Sequence, residues 1–139
     1  MKQTELRDPI FFMLLDVGRA QFARLEEALK GVGLSAAKYK VLSQIGKANE
    51  PVPLRLLAEG QQCVASNVTT LIDRLEADGL VRRVDDPADR RSKRATLTAL
   101  GAEKLAAGDA VVAEVEAAFA ASLGPTERLA LEKVLSSLR

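Results

Sequence analysis

The chain has 139 residues, of which 47% are hydrophobic and 28% are charged, and this composition is typical of one soluble globular domain. A formal net charge of +1 gives no argument for nucleic-acid binding from bulk charge. With one cysteine and no histidine, the chain has no internal disulfide, no credible zinc ligand set and no histidine general base. The N-terminus MKQTELRDPI is not a signal peptide, and the apolar run IFFMLL is too short to span a membrane. We therefore expect a cytoplasmic protein without metal, cofactor or membrane partner.

Apolar residues recur at helical spacing near the N-terminus and predict a first helix that ends around Gly31 and Gly33. Because IFFMLL is apolar on all sides, this helix is expected to be buried on more than one side, in a larger core or a dimer. Ser35 is a good N-cap for a second helix. That helix should stop near KANEPVP, where two prolines predict a loop.

The middle of the chain predicts a short helix from Leu54 to Glu59 and a second helix from Asn67 to Asp78, which Gly79 terminates. The segments LVRRV and RATLT then favour strands joined by the polar loop DDPADRRSK. Two helices in tight succession followed by a charged hairpin are typical of a winged helix-turn-helix.

The C-terminal third predicts a long alanine-rich helix from Ala99, followed by a last helix after Gly124 and Pro125. Leu105, Val112 and Phe119 are seven residues apart and form a narrow seam that is typical of helix–helix association. The predicted fold is thus mainly α, a single domain over residues 1–139 with a winged helix-turn-helix lobe over residues 35–98.

In such a lobe the second helix enters the DNA major groove and presents residues near its N-terminus. These residues are short and polar here, and side chains of this type can pair with base edges or phosphates: Ser66, Asn67, Thr69 and Thr70. Arg74 lies further along and can reach a phosphate. Alternatively, Ser66 and Asn67 are merely N-cap residues, and Arg74 pairs with Asp73 or Asp78 on the surface.

The hairpin segment VRRVDDPADRRSKRATLT holds six basic and three acidic residues. Arginine at the tip of a thin hairpin can enter a minor groove, where the negative potential is concentrated. We therefore predict DNA contacts for Arg90, Arg91, Lys93 and Arg94, with the acids orienting the arginines or pinning the loop. The alternative is a solvated turn.

The segment LAEGQQCVASNVTTLIDRLEADGLVRRVDDPADRRSKRATLTALG resembles the signature region of the MarR family of winged-helix repressors over about 45 residues without a gap. The resemblance implies a homodimer on double-stranded DNA, with dimerisation helices over residues 8–31 and 99–139. It also implies that Asn67 and Thr70 read the DNA, that Arg91 is the wing-tip arginine and that Asp89 orients it.

The sequence departs from the family pattern at the turn of the helix-turn-helix. Gln62 replaces a turn glycine and Cys63 replaces a small apolar residue, while Thr70 stands where family members often carry arginine. These differences bear on turn geometry and on sequence preference.

The resemblance further implies release from DNA by a small phenolic or other aromatic effector, or by oxidation of a cysteine. The candidate lining residues are Phe11, Phe12, Lys38 and Tyr39, although Phe11 and Phe12 are also explained as core or interface residues. Cys63 is the only redox candidate, and a small packed hydrophobe is the alternative.

Two function classes are compatible with these features. The first is a dimeric DNA-binding regulator, a repressor released by a ligand; the second is a winged-helix protein–protein adaptor that does not bind DNA. An enzyme is not expected, because no nucleophile–base pair, phosphate-binding glycine loop or metal cluster is visible.

Overall fold

The computed structural model describes residues 9–61 and 65–139, which form helices and a small sheet. The helices are α1 (Ile10–Lys30), α2 (Ala36–Lys47), α3 (Leu54–Gln61), α4 (Ala65–Ala77), α5 (Ala99–Ala121) and α6 (Pro125–Ser137). The strands are β1 (Val52–Pro53), β2 (Val81–Asp85) and β3 (Lys93–Leu97). Among these residues no helix is both long and apolar enough to cross a membrane. Nor does this part of the chain hold a group of three or more acidic, histidine or cysteine side chains arranged to bind a metal.

The sheet is antiparallel, with the strand order β1-β3-β2. Strands β2 and β3 form a hairpin whose register runs from Val81 opposite Leu97 to Asp85 opposite Lys93. We call this hairpin, residues 81–97, the wing. The short strand β1 was not predicted, because two prolines indicated a loop. It pairs Val52 with Ala95, and its proline is tolerated because β1 lies at the sheet edge.

Helices α1 and α4 end in the same way. The amides of Gly33 and Leu34 bond back to the carbonyls of Lys30 and Leu29, and Gly33 has φ of +76°. After α4, Gly79 has φ of +75°, and the Leu80 amide bonds to the Leu75 carbonyl at 2.9 Å. Both ends are Schellman motifs, in which glycine adopts the left-handed conformation and the next leucine contacts the helix again. The glycines therefore stop the helices and direct two leucines into the core.

The buried core lies in the winged-helix lobe and just before it. Leu29 and Leu34 are buried with it, so the end of α1 contributes to the lobe although it precedes residue 35. Each of α2, α3 and α4 turns its apolar face inward, and the two wing strands close the core from the side. Its members are Leu29, Leu34, Val41, Leu42, Ile45, Leu57, Val68, Ile72, Leu75, Leu80, Val81 and Ala95.

Helix α5 begins where the wing ends, against Gly79 and Leu80 in the connection between α4 and β2. Thr98 caps α5 by accepting a hydrogen bond from the Gly101 amide at 3.0 Å, while its hydroxyl donates to the Gly79 carbonyl. The Thr98 amide donates to the Leu80 carbonyl at 3.1 Å. Gly101 lies so close that a Cβ atom there would stand 1.9 Å from the Leu80 carbonyl oxygen. Only glycine fits this position without backbone movement.

Helices α2 and α5 also approach closely, at Tyr39. The Tyr39 ring lies over Gly108, and its hydroxyl donates to Asp109 Oδ1 at 2.6 Å. Partial burial, together with the bond to Asp109 and the nearby negative charge, raises the pKa of Tyr39 to about 12. The neutral hydroxyl therefore stabilises the fold below pH 10, the ordinary tyrosine pKa, and this contribution is lost as pH rises from 10 through 12.

Gly101→Ala should destabilise the protein by about 3 kcal/mol or more, because the added methyl group meets a backbone carbonyl that cannot rotate away. Urea unfolding followed by circular dichroism measures this loss. Gly18→Ala in α1 is the matched control, since nothing lies within 4 Å of its added Cβ. The control should be neutral or stabilising by up to about 1 kcal/mol. Equal stabilities for the two variants would contradict the close approach at Leu80.

The Tyr39 hydroxyl can be titrated directly, since Tyr39 is the only tyrosine and the chain has no tryptophan. Ultraviolet absorbance of tyrosinate should show a midpoint well above 10 for as long as circular dichroism reports the native fold. Asp109→Asn should lower the midpoint, because the nearby negative charge is lost. A midpoint near 10 in folded protein would mean that the bond between Tyr39 and Asp109 does not form in solution.

Candidate DNA-binding surface

Helix α4 presents a face of mostly short polar side chains to solvent. Its apolar residues Val68, Ile72 and Leu75 are buried in the core. Asn67, Thr70 and Arg74 are three and four residues apart, so they share one helix face, and all are exposed. Thr69 is also exposed. The backbone of Ser66 lies in α4, but its side chain falls outside the described part of the chain, as Cys63 does entirely.

The acidic residues of α4, and Asp78 directly after it, are paired with cations from neighbouring elements. Arg83 of β2 forms ion pairs with Asp73 and with Glu76, the latter at 3.0 Å, and its backbone amide donates to Glu76 Oε2 at 3.0 Å. Lys38 of α2 pairs with Asp78 at 3.3 Å. Hydrogen bonding to Asp73 is the main cause that raises the pKa of Arg83.

These pairs exclude the alternative in which Arg74 pairs with Asp73 or Asp78 on the surface. The Arg74 side chain is exposed and forms no ion pair with any residue of 9–61 or 65–139, because Asp73 and Asp78 already pair with Arg83 and Lys38. Arg83 itself was not among the predicted site residues. The spacing of Asp73 and Glu76, one helical turn apart and just before a strand with two arginines, was the signal available in the sequence.

The wing tip is a backbone turn held by two aspartates. Asp86 Oδ1 accepts from the Ala88 amide at 2.9 Å, and the Ser92 amide donates to the Asp89 carbonyl at 3.0 Å. Asp89 Oδ1 accepts from the Arg91 amide at 2.9 Å. Asp89 thus holds the backbone of Arg91 rather than its guanidinium, and the Arg91 side chain extends from a fixed turn.

The four basic residues predicted to bind DNA from the wing differ in what they contact. Arg90 and Arg91 are exposed and form no ion pair within the described part of the chain. Lys93 pairs with Asp85 across the hairpin and is half exposed. These three remain on the outer surface of the wing.

Arg94 departs from the prediction. Its Nε lies 3.3 Å from Asp86 Oδ2, its Nη1 donates to the Pro51 carbonyl at 3.4 Å, and its side chain is largely buried. The hydrogen bond that the Ala88 backbone amide donates lowers the pKa of Asp86, and the positive charges of Arg94 and Arg55 lower it further. Because Arg94 neutralises the Asp86 carboxylate of the tip turn and donates to the Pro51 carbonyl, it connects the tip to the residue that precedes β1 rather than facing outward.

The four candidate ligand residues do not form one site within a chain. Phe11 and Phe12 contact each other edge to face on the exposed start of α1, with ring centroids 5.7 Å apart. Glu26, which accepts a hydrogen bond from the first amide of α2, follows Phe12 by about four turns, or about 21 Å along the axis. Lys38 and Tyr39 are engaged with Asp78 and Asp109.

An apolar crevice of about 340 Å³ lies instead between α1 and α5. Val112 and Phe119 of the predicted seam line one wall, whereas Leu105 lies against Gly46 of α2. Phe22 of the other wall was not predicted. The lining residues are Gly18, Gln21, Phe22, Leu25, Val112, Val115, Glu116 and Phe119.

Comparison with known proteins agrees with this architecture. The chain is 31% identical over 124 residues to the transcriptional regulator HosA of Escherichia coli O111:H-, covering 88% of this chain and 89% of HosA. The structure of the repressor CouR bound to a 23-mer DNA duplex superposes with a TM-score of 0.86 at 28% identity, covering 99% of this chain and 97% of CouR.

Two further structures are similar. CouR from Rhodococcus jostii RHA1 bound to p-coumaroyl-CoA gives a TM-score of 0.78 at 27% identity, covering 94% of this chain and 91% of CouR. A mutant MarR from E. coli complexed with operator DNA gives 0.83 at 25% identity, covering 94% of each chain. The MarR family profile matches residues 34–93, and the chain belongs to the MarR family.

Proposed function

We propose that the protein is a homodimeric, sequence-specific DNA-binding transcriptional repressor that a small aromatic ligand releases from its operator. One observation carries the DNA-binding part. The exposed polar face of α4, with Asn67, Thr70 and Arg74, adjoins a wing whose tip arginines Arg90 and Arg91 are exposed and unpaired among the described residues. Relatives of this chain have been solved on DNA, which supports the same use of this surface.

The proposed roles follow from the chemistry of each side chain. Asn67 and Thr70 are short enough for the helix to sit deep in the major groove, where amide and hydroxyl groups read base edges. Arg74 is placed to contact a phosphate, and Arg91 to enter the adjacent minor groove. Arg94 is not included, because its charge is committed to Asp86.

Dimerisation is proposed from the exposed apolar surface outside the lobe. The start of α1 and the length of α6 leave large hydrophobic side chains in solvent, and a patch of this kind marks an interface between proteins. A second copy of the chain would cover them and would place two recognition helices on a palindromic site. The exposed residues are Ile10, Phe11, Phe12, Met13, Leu14, Val17, Leu129, Val134, Leu135 and Leu138.

The DNA-binding proposal is tested with a duplex selected from a random-sequence library by the wild-type protein, which should be a pseudo-palindrome. If the charges of Arg74, Arg90 and Arg91 neutralise about three phosphates per protomer, the affinity should fall with salt at a log–log slope of about −5. Arg91→Ala should weaken binding by about 1–3 kcal/mol per dimer site and flatten the slope. Fluorescence anisotropy across a salt series measures both quantities.

Arg24→Ala is the matched control, since Arg24 is exposed on α1 and forms no ion pair with a described residue. It removes the same charge far from the wing and should leave the affinity within about twofold, since long-range charge effects are screened by salt. If Arg91→Ala and wild type bound the duplex equally at every salt concentration, the role of the wing would be refuted. If no duplex were selected at all, the result would favour the protein–protein adaptor.

The effector part of the proposal rests on the crevice between α1 and α5. Its walls are almost wholly apolar, which suits an aromatic ring, and the similar protein CouR has been solved with an aromatic acyl thioester. The crevice adjoins the surface proposed for dimerisation. A ligand there would act on the spacing of the two DNA-binding lobes.

Addition of p-coumaroyl-CoA or p-coumarate to the protein–DNA complex should lower the DNA affinity by about tenfold or more. Val115→Trp fills the crevice and should abolish this loss of DNA affinity. A melting temperature equal to that of wild type would confirm that the variant is folded. Coenzyme A alone is the control for the nucleotide part and should have no effect. An unchanged anisotropy with both aromatic compounds would argue against an aromatic effector of this class.

A further inference from the structure

The ion pairs of Arg83 join the recognition helix to the wing. Arg83 lies in β2, whereas Asp73 and Glu76 lie one turn apart on α4, and the guanidinium reaches both carboxylates. The Arg83 side chain is only 23% exposed, so the pairs are partly shielded from solvent. Partly buried charged hydrogen bonds are stronger than fully exposed ones.

Glu76 also binds the backbone of the wing. Glu76 binds the Arg83 guanidinium with Oε1 and the Arg83 backbone amide with Oε2, each at 3.0 Å. The amide belongs to strand β2, and it is therefore the strand itself, and not only a flexible side chain, that is held to α4. The planar guanidinium with five donors can bridge two carboxylates in this way, whereas a lysine ammonium is a point charge.

The negative charges of Asp73 and Glu76 are unfavourable for DNA binding by simple electrostatics. They lie on the helix proposed to enter the major groove, where a carboxylate is repelled by phosphates. Asp73 is 60% exposed, and its charge is thus not hidden from DNA. Their contribution to DNA binding must be structural if it is favourable at all.

We propose that Arg83, Asp73 and Glu76 form a clamp that fixes the angle between the recognition helix and the wing, so that Asn67 and Arg91 reach adjacent grooves together. The clamp deepens the proposed function and rests on it. Arg83 acts as a positioning residue, because it need not touch DNA itself. Without the clamp the wing tip keeps its own turn, but each binding event must order the wing against α4 first.

Two substitutions on Arg83 and Arg91 test this through a double-mutant cycle on the selected duplex. Arg83→Met keeps the apolar stem and should weaken binding about tenfold. If Arg83 acts through the wing tip, then Arg83→Met should cost little more once Arg91→Ala is present. Additive losses, about a hundredfold for the double variant if each single loss is tenfold, would overturn the clamp.

For a second variant, Asp73→Asn, the clamp and simple electrostatics predict opposite changes in DNA affinity. Asp73→Asn removes a negative charge near DNA and by charge alone should tighten binding a few-fold. The clamp predicts looser binding, because Arg83 loses one of its two carboxylate partners. Tighter binding by Asp73→Asn would refute the clamp. The side chain is exposed, so this variant is expected to fold even if Arg83→Met does not.

Glu59→Gln is the matched control for the loss of an acidic charge, since Glu59 is exposed on α3 and forms no ion pair with a described residue. It should bind as tightly as wild type or more tightly. Failure of wild type to bind any duplex would overturn the proposed function and the clamp with it. Normal wild-type binding with an additive cycle would overturn the clamp alone.

Discussion

The close approach of Gly101 to the Leu80 carbonyl sets the arrangement of the DNA-binding elements. Leu80 completes the Schellman end of α4, directly precedes β2 and accepts a hydrogen bond from the amide of Thr98, the N-cap of α5. Recognition helix, wing and long helix therefore meet at one backbone position. This explains why DRLEADGL and LTALG occur in one signature: the glycines at 79 and 101 serve the same junction. A larger residue at 101 would collide with the Leu80 carbonyl, and one at 79 would be strained by the positive φ.

The distribution of charge in the lobe is set by ion pairs rather than by an excess of basic residues. The chain is nearly neutral, yet Arg83, Lys38, Lys93 and Arg94 each pair with an acid that would otherwise face DNA or destabilise the wing. Arg74, Arg90 and Arg91 form no ion pair with a described residue and lie on the proposed DNA side. Because the acids of the lobe are neutralised by paired cations, the remaining arginines can form a local positive surface in a chain whose net charge is near zero.

Much of this could be read from the sequence, because local signals agree with the final structure. Ser35 caps α2, Gly79 ends α4, and the hairpin follows the β-branched runs. Strand β1 could not be foreseen, since its pairing comes from β3 rather than from its own residues. Arg83 and Arg94 have the same composition signal as Arg91. The inward role of Arg94 depends on Pro51, a neighbour distant in sequence that no local pattern specifies, whereas the acids that bind Arg83 lie only seven and ten residues before it.

The separation of polar and apolar surfaces constrains how a ligand can act. The lobe that reads DNA has its apolar residues packed, whereas the apolar crevice lies between α1 and α5. A change in that crevice can reach the lobe through the end of α1, where Leu29 is buried in the core, or through α5, which meets the lobe at Gly101 against Leu80 and at Asp109 with Tyr39. Both contacts of α5 are short and stiff, one a backbone contact and the other a charged hydrogen bond. Because Arg83 holds the wing to α4, a shift of α5 would move helix and wing as one body, and release would come from the spacing of two lobes rather than from distortion of either.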